Sequence, residues 1–400
     1  MQVILIMAVG ILIAGVIENM LNSARRRGIP IRIHVNGTRG KSTTTSLIAA
    51  GLREAGIRTI AKTTGSAARL ILADGSETGV PRRGPANIRE QMWLLAMAKK
   101  HRAEALVVEC MALSPETQWV SEHRIIQSTI GVITNAGPDH FDEMGPGVKY
   151  VARALSRTIP RRGVLVTAEQ PEGAEGVEGA NGACDREALL SIFLAEASRQ
   201  GTTVYTVDGR EVPQAQLDRF SYPAFGDNVA CALKACELAG VKRDMAFKGM
   251  LNAAPDPGTL KVCRLTRSGR TFYFVNALAA NDLRSTGMAY ERLPQYNLPA
   301  GLPVVGILNI RGDRTSEMIA FAKQEGRFER LILLGPDALA KRLMGRKCLI
   351  GRKSTHPTTH PHVHPHALPE EILNLAAAGT DGDLILFAFG NIKGAGERLL

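Results

Sequence analysis

The chain has 400 residues and a mass of 43.0 kDa, enough for two or three domains, because single cores stop growing near roughly 250–300 residues. Hydrophobic residues make up 45% and charged residues 22%, which excludes an intrinsically disordered chain and a multi-pass membrane protein. The balance is basic, with 49 Lys and Arg against 38 Asp and Glu for a net charge of +11 and a pI near 9.5; this leaves anionic ligands, an anionic membrane surface and nucleic acid open as partners.

Val3 to Ile17 is an uncharged apolar run of 15 residues, and Met20 and Leu21 extend it past Glu18 and Asn19. Arg25, Arg26 and Arg27 follow. A secretory signal carries its positive charge before the apolar run, not after it. The charge order instead keeps the arginines, and everything beyond them, on the cytoplasmic side. We expect residues 1–24 to be a single uncleaved anchor, although the run is short beside the ~17–25 residues of a spanning helix. An amphipathic or buried first helix of a soluble protein is the alternative.

Ile31–Val35 reads as a strand that stops at a Gly-rich turn, and Lys41–Ala55 as the helix after it, closed by Gly56. Further apolar runs at Ala105–Val108, Val132–Thr134 and Val164–Thr167 alternate with helical patterns such as Lys149–Ile159. Alternation at this spacing predicts an α/β fold with a parallel sheet covered by helices on both faces. Residues 169–187 carry Glu and Gly in a three-residue rhythm and read as a solvated loop. A helix over Gly226–Leu238 comes next, then Pro255-Asp256-Pro257-Gly258, a boundary signal. Strands at Thr271–Val275, Val304–Leu308, Leu331–Leu334 and Leu384–Ala388 restart the alternation in a smaller α/β domain. The expected division is 1–24, 25–258 and 259–400. His356, His360, His362, His364 and His366 sit among prolines in an expected surface loop with no fixed metal geometry. Six cysteines without a CxxC pair give neither a zinc framework nor a disulfide scaffold.

The strongest chemical signal is His34-Val35-Asn36-Gly37-Thr38-Arg39-Gly40-Lys41-Ser42. Its glycines let backbone N–H groups approach phosphate oxygens, and the following helix adds the positive end of its dipole. Lys41 would pair with the β/γ-phosphates and the Ser42 hydroxyl would ligate Mg²⁺. The loop is shorter than GxxxxGKS, with Val35 where that pattern needs glycine. Glu109 ends a buried-strand pattern, so at the C-terminal edge of a parallel sheet it can complete a Mg²⁺ site with Ser42. Asp139 and His140 follow a third strand and reach the same edge.

These motifs resemble the Mur-type amide ligases. GTRGKS, VVECMAL, TNAGPDHFD, FGDN at 225–228, NALAAND at 276–282 and GDR at 312–314 occur in that family's order. Within it, KTTGSAARLILADGSE, GPANIREQ, NALAANDLRST and FGNIKGAG resemble the ligase subunit of poly-γ-glutamate synthase. The resemblance implies a Mur-ligase-like P-loop domain, a C-terminal α/β domain closing on the nucleotide, and an N-terminal hydrophobic helix. It also implies an ATP-dependent ligase that joins the γ-carboxyl and α-amine of glutamates through an acyl phosphate. ATP and one or two Mg²⁺ ions are the implied cofactors. Lys41, Glu109 and His140 would be catalytic, with Ser42, Glu109 and His140 on metal. Gly37, Thr38, Arg39, Gly40, Lys41, Ser42, Thr43, Asn228, Asp313 and Arg314 would contact nucleotide. Glutamate, the growing polymer and membrane subunits of a synthase complex are the implied partners, with room for a homo-oligomer and none for nucleic acid. The implied location is the inner (cytoplasmic) membrane, with the catalytic body in the cytoplasm.

The chain departs from the wider family in three places. The helix after the DHxD-type motif reads YVARALSRT, without the lysine many Mur ligases carbamylate to bridge a second metal. Asp227 stands where the family has histidine, and Thr259 and Leu260 occupy the hinge that elsewhere holds arginine. Lys62, Arg69, Arg82, Arg83 and Arg89 are candidates for an acceptor path, since arginine grips carboxylates bidentately. Two other functions stay open: a folylpolyglutamate-type ligase, and a membrane-tethered ATPase component without ligase activity.

Overall fold

The computed structural model describes residues 2–64, 68–81, 87–170, 186–222, 224–255, 261–278, 283–291, 293–296, 298–309, 327–335, 362–363, 369–390 and 396. The chain divides into two compact units, Met1–Pro255 and Asp256–Leu400.

The first unit opens with helix α1, Gln2–Arg27, of 26 residues. At 1.5 Å per residue it is about 39 Å long. Its large apolar residues from Val3 to Leu21 are all exposed. In its last turns Asn22 and Arg26 are buried. Strand β1, Ile31–Asn36, follows, then helix α2, Lys41–Glu54. Strands β2 (Thr59–Thr63), β3 (Arg69–Ile71) and β4 (Glu77–Gly79) precede helix α3, Glu90–Lys100. Strand β5 is Ala105–Glu109. Helix α4, Pro115–Val120, starts on Ser114, whose side chain accepts from Thr117 N, with proline at its first position. It runs directly into a π-helical turn, Ser121–Ile126. Strand β6 (Ile130–Ile133), helices α5 (Phe141–Met144) and α6 (Val148–Leu155), and strand β7 (Val164–Thr167) come next. Helix α7 (Arg186–Gln200), strand β8 (Thr203–Thr206) and helices α8 (Gln214–Leu217), α9 (Gly226–Leu238) and α10 (Arg243–Leu251) complete the unit.

The strands form one eight-stranded sheet in the order β4-β3-β2-β5-β1-β6-β7-β8. The six strands from β2 to β8 in that order run parallel, and β3 and β4 are antiparallel additions at one edge. Parallel neighbours need crossover helices, which cover both faces. On one face Ile33 and Val35 of β1 pack with Leu47 and Ile48 of α2, Leu233 of α9 and Met250 of α10. The other face carries two separate apolar clusters. One joins Ile60, Leu106 and Val108 to Leu94 and Leu95 of α3. The second joins Ile133 and Leu165 to Val151 and Leu155 of α6 and Phe193 of α7. Strand residues alternate between faces, so the middle strand β1 turns Arg32, His34 and Asn36 toward the gap between these clusters.

The second unit is a six-stranded sheet. Its strands are β9 (Lys261–Arg267), β10 (Arg270–Ala277), β11 (Val304–Asn309), β12 (Arg330–Leu334), β13 (His362–Val363) and β14 (Leu384–Phe389), in the order β13-β12-β11-β14-β10-β9. Only β9 pairs antiparallel among the described strands. Apolar clusters cover both its faces, one around Phe387 and Phe389, the other around Ile332 and Leu386.

Three sequence readings change. The helix expected over Lys149–Ile159 is observed over Val148–Leu155 with a 3-10 turn at Ser156–Thr158 after it, and Lys149 lies exposed in its first turn. Within the expected solvated loop, Glu169 is buried and accepts from Ala136 N at 2.6 Å; residues 171–185 lie outside the described residues. Of the histidine tract, only His362–Val363 is described, as a strand pairing with β12.

Candidate active site

The site is built where β1, β5 and β6 end side by side. Val35 stands opposite Glu109 and Asn36 opposite Ile133. A parallel sheet brings strand ends of the same polarity to one edge, and loops there form the binding crevice. The loop Gly37–Gly40 joins β1 to α2 across this edge.

Two glycines make the loop feasible. Gly37 has φ +132°, and a Cβ there would lie 2.1 Å from Thr134 Oγ1; Gly40 has φ +83°, and a Cβ there would lie 2.1 Å from Asn228 Oδ1. Neither position has room for a side chain, and both conformations favour glycine. Asn228, buried in the first turn of α9, is thereby set against the loop.

Side chains then lock the loop to the end of β6. Thr38 N donates to Asn135 O at 3.0 Å, and Thr38 Oγ1 donates to Asn135 Oδ1 at 2.5 Å. Arg39 N also donates to Asn135 Oδ1, at 3.0 Å. Arg39 O accepts from Thr134 Oγ1 at 2.6 Å and from Asn135 Nδ2 at 3.1 Å. At the other end Asn36 Oδ1 accepts from Gly37 N at 2.9 Å, while its Nδ2 donates to Gln118 Oε1 at 2.8 Å and to Thr158 Oγ1 at 3.1 Å. Lys41 Nζ lies across the loop, donating to Gly37 O at 2.6 Å and Thr38 O at 3.3 Å. The first-turn N–H groups of α2, including those of Ser42 and Thr43, have no acceptor within the helix and point their dipoles outward. This is a cradle for an anion.

A carboxylate stands beside it. Ser42 Oγ donates to Glu109 Oε2 at 2.8 Å, and Thr64 N donates to the same oxygen at 2.6 Å. Adjacent ligands of an octahedral Mg²⁺, with bonds of ~2.1 Å, stand about 3 Å apart. The Ser42 and Glu109 oxygens therefore fit a hard divalent cation without rearrangement, and next to a phosphate cradle.

The structure thus gathers Gly37, Thr38, Arg39, Gly40, Lys41, Ser42, Thr43, Glu109 and Asn228 at one edge. It treats His140 differently. His140 has φ +36° at the start of α5, is largely exposed, and has its Nε2 3.8 Å from Asp139 Oδ1. Among the described residues no group of three or more His, Cys, Asp or Glu is assembled for a metal. Asp313 and Arg314 lie outside the described residues.

Of the candidate acceptor-path cations, the three that are described each pair with a carboxylate of the same chain. Lys62 is fully buried, with Nζ 3.0 Å from Glu90 Oε2. Arg69 pairs with Glu77 across β3 and β4, and Arg89 lies 2.8 Å from Glu18 of α1. Arg82 and Arg83 lie outside the described residues. Sequence reasoning assigned no role to Asn36, Thr64, Thr134 and Asn135. The signal was there for three of them: polar residues closing buried strands at 36 and 134–135.

Comparison with known proteins agrees with this geometry. Residues 35–177 match the Mur ligase middle domain, the ATP-dependent amide-ligase class to which the loop, carboxylate and sheet order point. Residues 262–400 match the poly-gamma-glutamate synthase CapB C-terminal domain. The chain is 32% identical to the PGA synthase CapB of Bacillus subtilis over all of its own length and 97% of that protein's. It is 37% identical to the capsule biosynthesis protein CapB of Bacillus anthracis over 80% of its own length, and spans 65% of that relative. The chain belongs to the CapB family of poly-γ-glutamate synthases. Its fold is shared with the bifunctional folylpolyglutamate synthase/dihydrofolate synthase of Yersinia pestis, solved with AMPPNP and a Mn ion. That likeness has a TM-score of 0.66 and 15% identity, over 95% of this chain and 91% of the other.

Proposed function

We propose that this protein is an ATP-dependent carboxylate–amine ligase that makes γ-linked glutamate amide bonds. The observation that carries the reading is the Ser42–Glu109 oxygen pair beside the Gly37–Ser42 cradle, in a chain related to CapB along its whole length. The γ-carboxylate of one glutamate attacks the γ-phosphorus of ATP and ADP leaves. The amino group of a second glutamate then attacks the acyl carbon, phosphate leaves, and the nitrogen loses its proton. Phosphoryl transfer of this kind is mainly positioning and charge stabilisation. The loop and helix N-terminus hold the phosphates. Lys41, already over the loop, swings its ammonium from the Gly37 and Thr38 carbonyls to the β/γ oxygens. Ser42 and Glu109 would hold Mg²⁺, which when bound offsets the charge between a carboxylate and an anionic phosphate. His140 belongs to the proposal as ligand of a second ion, and Asp313 and Arg314 as nucleotide contacts from the second unit.

The proposal extends to location. Helix α1 has an exposed apolar stretch close to the ~30 Å hydrocarbon thickness, and Arg25 to Arg27 at its end. Under the positive-inside rule this supports an inner-membrane anchor with the body in the cytoplasm. Membrane subunits are then natural partners, because one helix forms no export path. The test supplies membranes holding the full chain with ATP, Mg²⁺ and labelled glutamate, and sizes the product. ADP release without γ-linked polymer would overturn the reading; glutamate added only to a pterin would favour the folylpolyglutamate-type alternative.

A further inference from the structure

Helix α1 changes character at Glu18, the first charged side chain in the sequence. Glu18, Asn22 and Arg26 follow one another at intervals of four, which places them on one face of a helix. That face is turned to the body. Arg89 Nη2, from the residue before α3, donates to Glu18 Oε1 at 2.8 Å. Asn22 is buried, and Arg26 donates to Arg124 O at 2.9 Å and Ile125 O at 3.0 Å in the π-helical turn. Arg32 of β1 ties the end of the helix from the other side, donating to Arg26 O at 3.4 Å and Ile29 O at 2.6 Å. The last turns of α1 are therefore a fixed stem on the body and not a loose tether.

The apolar side chains do not stop where the body begins. Ile17, Met20 and Leu21, off that polar stripe, are exposed. Val3 to Leu21 is 19 residues, about 28 Å of helix, close to the ~30 Å of hydrocarbon in a bilayer. A bilayer covering this stretch has its hydrocarbon edge near Leu21, with Glu18 about 4.5 Å inside it. In water an exposed ion pair such as Glu18–Arg89 contributes little. At the hydrocarbon edge a lone carboxylate is costly, and a cationic partner becomes necessary.

Arg89 thus marks how far the body reaches: the first turn of α3 stands level with the headgroups. Arg25 to Arg27 come four to six residues after Leu21, about 6–9 Å further out, where lipid phosphates lie. Arg27 and Arg124 are exposed there, and Arg25 is half-buried. Trp93 follows Arg89 by one turn on the same side of α3, its N donating to Arg89 O at 3.5 Å. It is only partly buried against the core behind it. Tryptophan beside arginine is the composition of a membrane interface.

We propose that the catalytic body is seated on the bilayer through the first turn of α3, with Arg89 bridging Glu18 and lipid phosphate, and Arg27 and Arg124 meeting anionic headgroups around the stem. The occupant of this surface is a bilayer carrying anionic phospholipid, as the sign of the charges around an exposed apolar helix requires. The proposal rests on the reading of α1 as an anchor and goes past it, since an anchor alone leaves the body free to turn. On this placement Arg89 is a lipid contact and not part of an acceptor path.

The test reconstitutes the full-length chain in phosphatidylcholine vesicles, with and without phosphatidylglycerol, and reads quenching of tryptophan by brominated acyl chains. The chain has two tryptophans, Trp93 and Trp119, so Trp119→Phe leaves Trp93 as the reporter. Resistance to alkaline extraction, measured in parallel, reads the anchor by itself. We expect Trp93 to be quenched, and more strongly with phosphatidylglycerol. One arginine beside an anionic surface shifts the ratio of seated to released body by about fivefold, so Arg89→Ala and Arg27→Gln should each lower quenching while insertion stays intact. An inserted chain with Trp93 unquenched overturns the proposal, as does quenching that ignores both lipid charge and Arg89→Ala. Should Trp119→Phe fail to fold, wild type and Arg89→Ala are compared with both tryptophans present, and equal quenching overturns it. Trp93 unquenched in lipid vesicles but shielded from iodide in native membranes gives the surface to a membrane protein, and overturns it too. A chain that alkali extracts sinks the anchor reading itself, and the seating with it.

Discussion

The two faces of the eight-stranded sheet do different work with the same strand. Toward α2, α9 and α10, β1 presents Ile33 and Val35 to a continuous apolar core. Toward the π-helical turn it presents Arg32, His34 and Asn36, each hydrogen-bonded to a partner far along the chain. The first face supplies non-directional stability, which tolerates changes of shape. The second supplies directional bonds, which fix where a strand end points. A loop that must meet a phosphate within tenths of an ångström needs the second kind beneath it.

The sharpest break falls on the shared edge. Lys41→Ala should lower turnover by ~10²-fold or more if, as proposed, Lys41 turns its charge to the transferring phosphoryl group. Its melting temperature should stay near wild type, because Lys41 is half-exposed and bonds only the loop's own carbonyls. Near-normal turnover would mean the phosphates bind elsewhere. On the apolar face, Leu233→Ala deletes a fully buried side chain and should cost ~2–5 kcal/mol. Chemical denaturation checks that figure, and nucleotide affinity of the folded protein should not change. On the polar face, Asn36→Ala leaves Gly37 N and the side chains of Gln118 and Thr158 short of a partner. It should cost ~1–3 kcal/mol, a smaller loss, yet calorimetry should find weakened nucleotide binding. If Leu233→Ala weakens binding and Asn36→Ala does not, the division of labour between the faces is wrong.

How much of this was legible follows from the distance between partners. The unit β1–loop–α2 is local: an apolar run, two glycines and a helical pattern suffice to read it. The helix Gly226–Leu238 and strand Val164–Thr167 lie where the sequence reading put them. Glu109 was legible against Ser42, 67 positions away, because topology brings any carboxylate at a β5 end to that edge. Strand β2 was missed because Lys62 interrupts its pattern, and the Glu90 carboxylate on α3 helps make a buried lysine tolerable there. Strand β8 was missed because it is a short, half-exposed edge with little apolar signal. The π-helical turn SEHRII drew no reading from the sequence; its buried Glu122 becomes intelligible only once His34, 88 positions earlier, is placed beside it.

The last prediction probes that burial through pH. An ordinary histidine titrates near 6.5, whereas folded His34 holds its proton to about 10. Between these values the native state binds a proton that the unfolded state has released, so stability falls as pH rises. The contribution is complete below about 6.5 and gone above about 10. Burial pushes the thiols of Cys231 and Cys236 up as well, but their loss begins only near 9, where unfolded cysteine ionises. Urea midpoints measured at pH 6, 8 and 9.5, for wild type and His34→Gln, isolate the histidine. Wild type should lose stability from pH 6 to 8 while His34→Gln stays flat. Parallel curves would show His34 neutral in the fold, and the polar face would then hold β1 by dipoles alone, without the charge that distinguishes it from the apolar face.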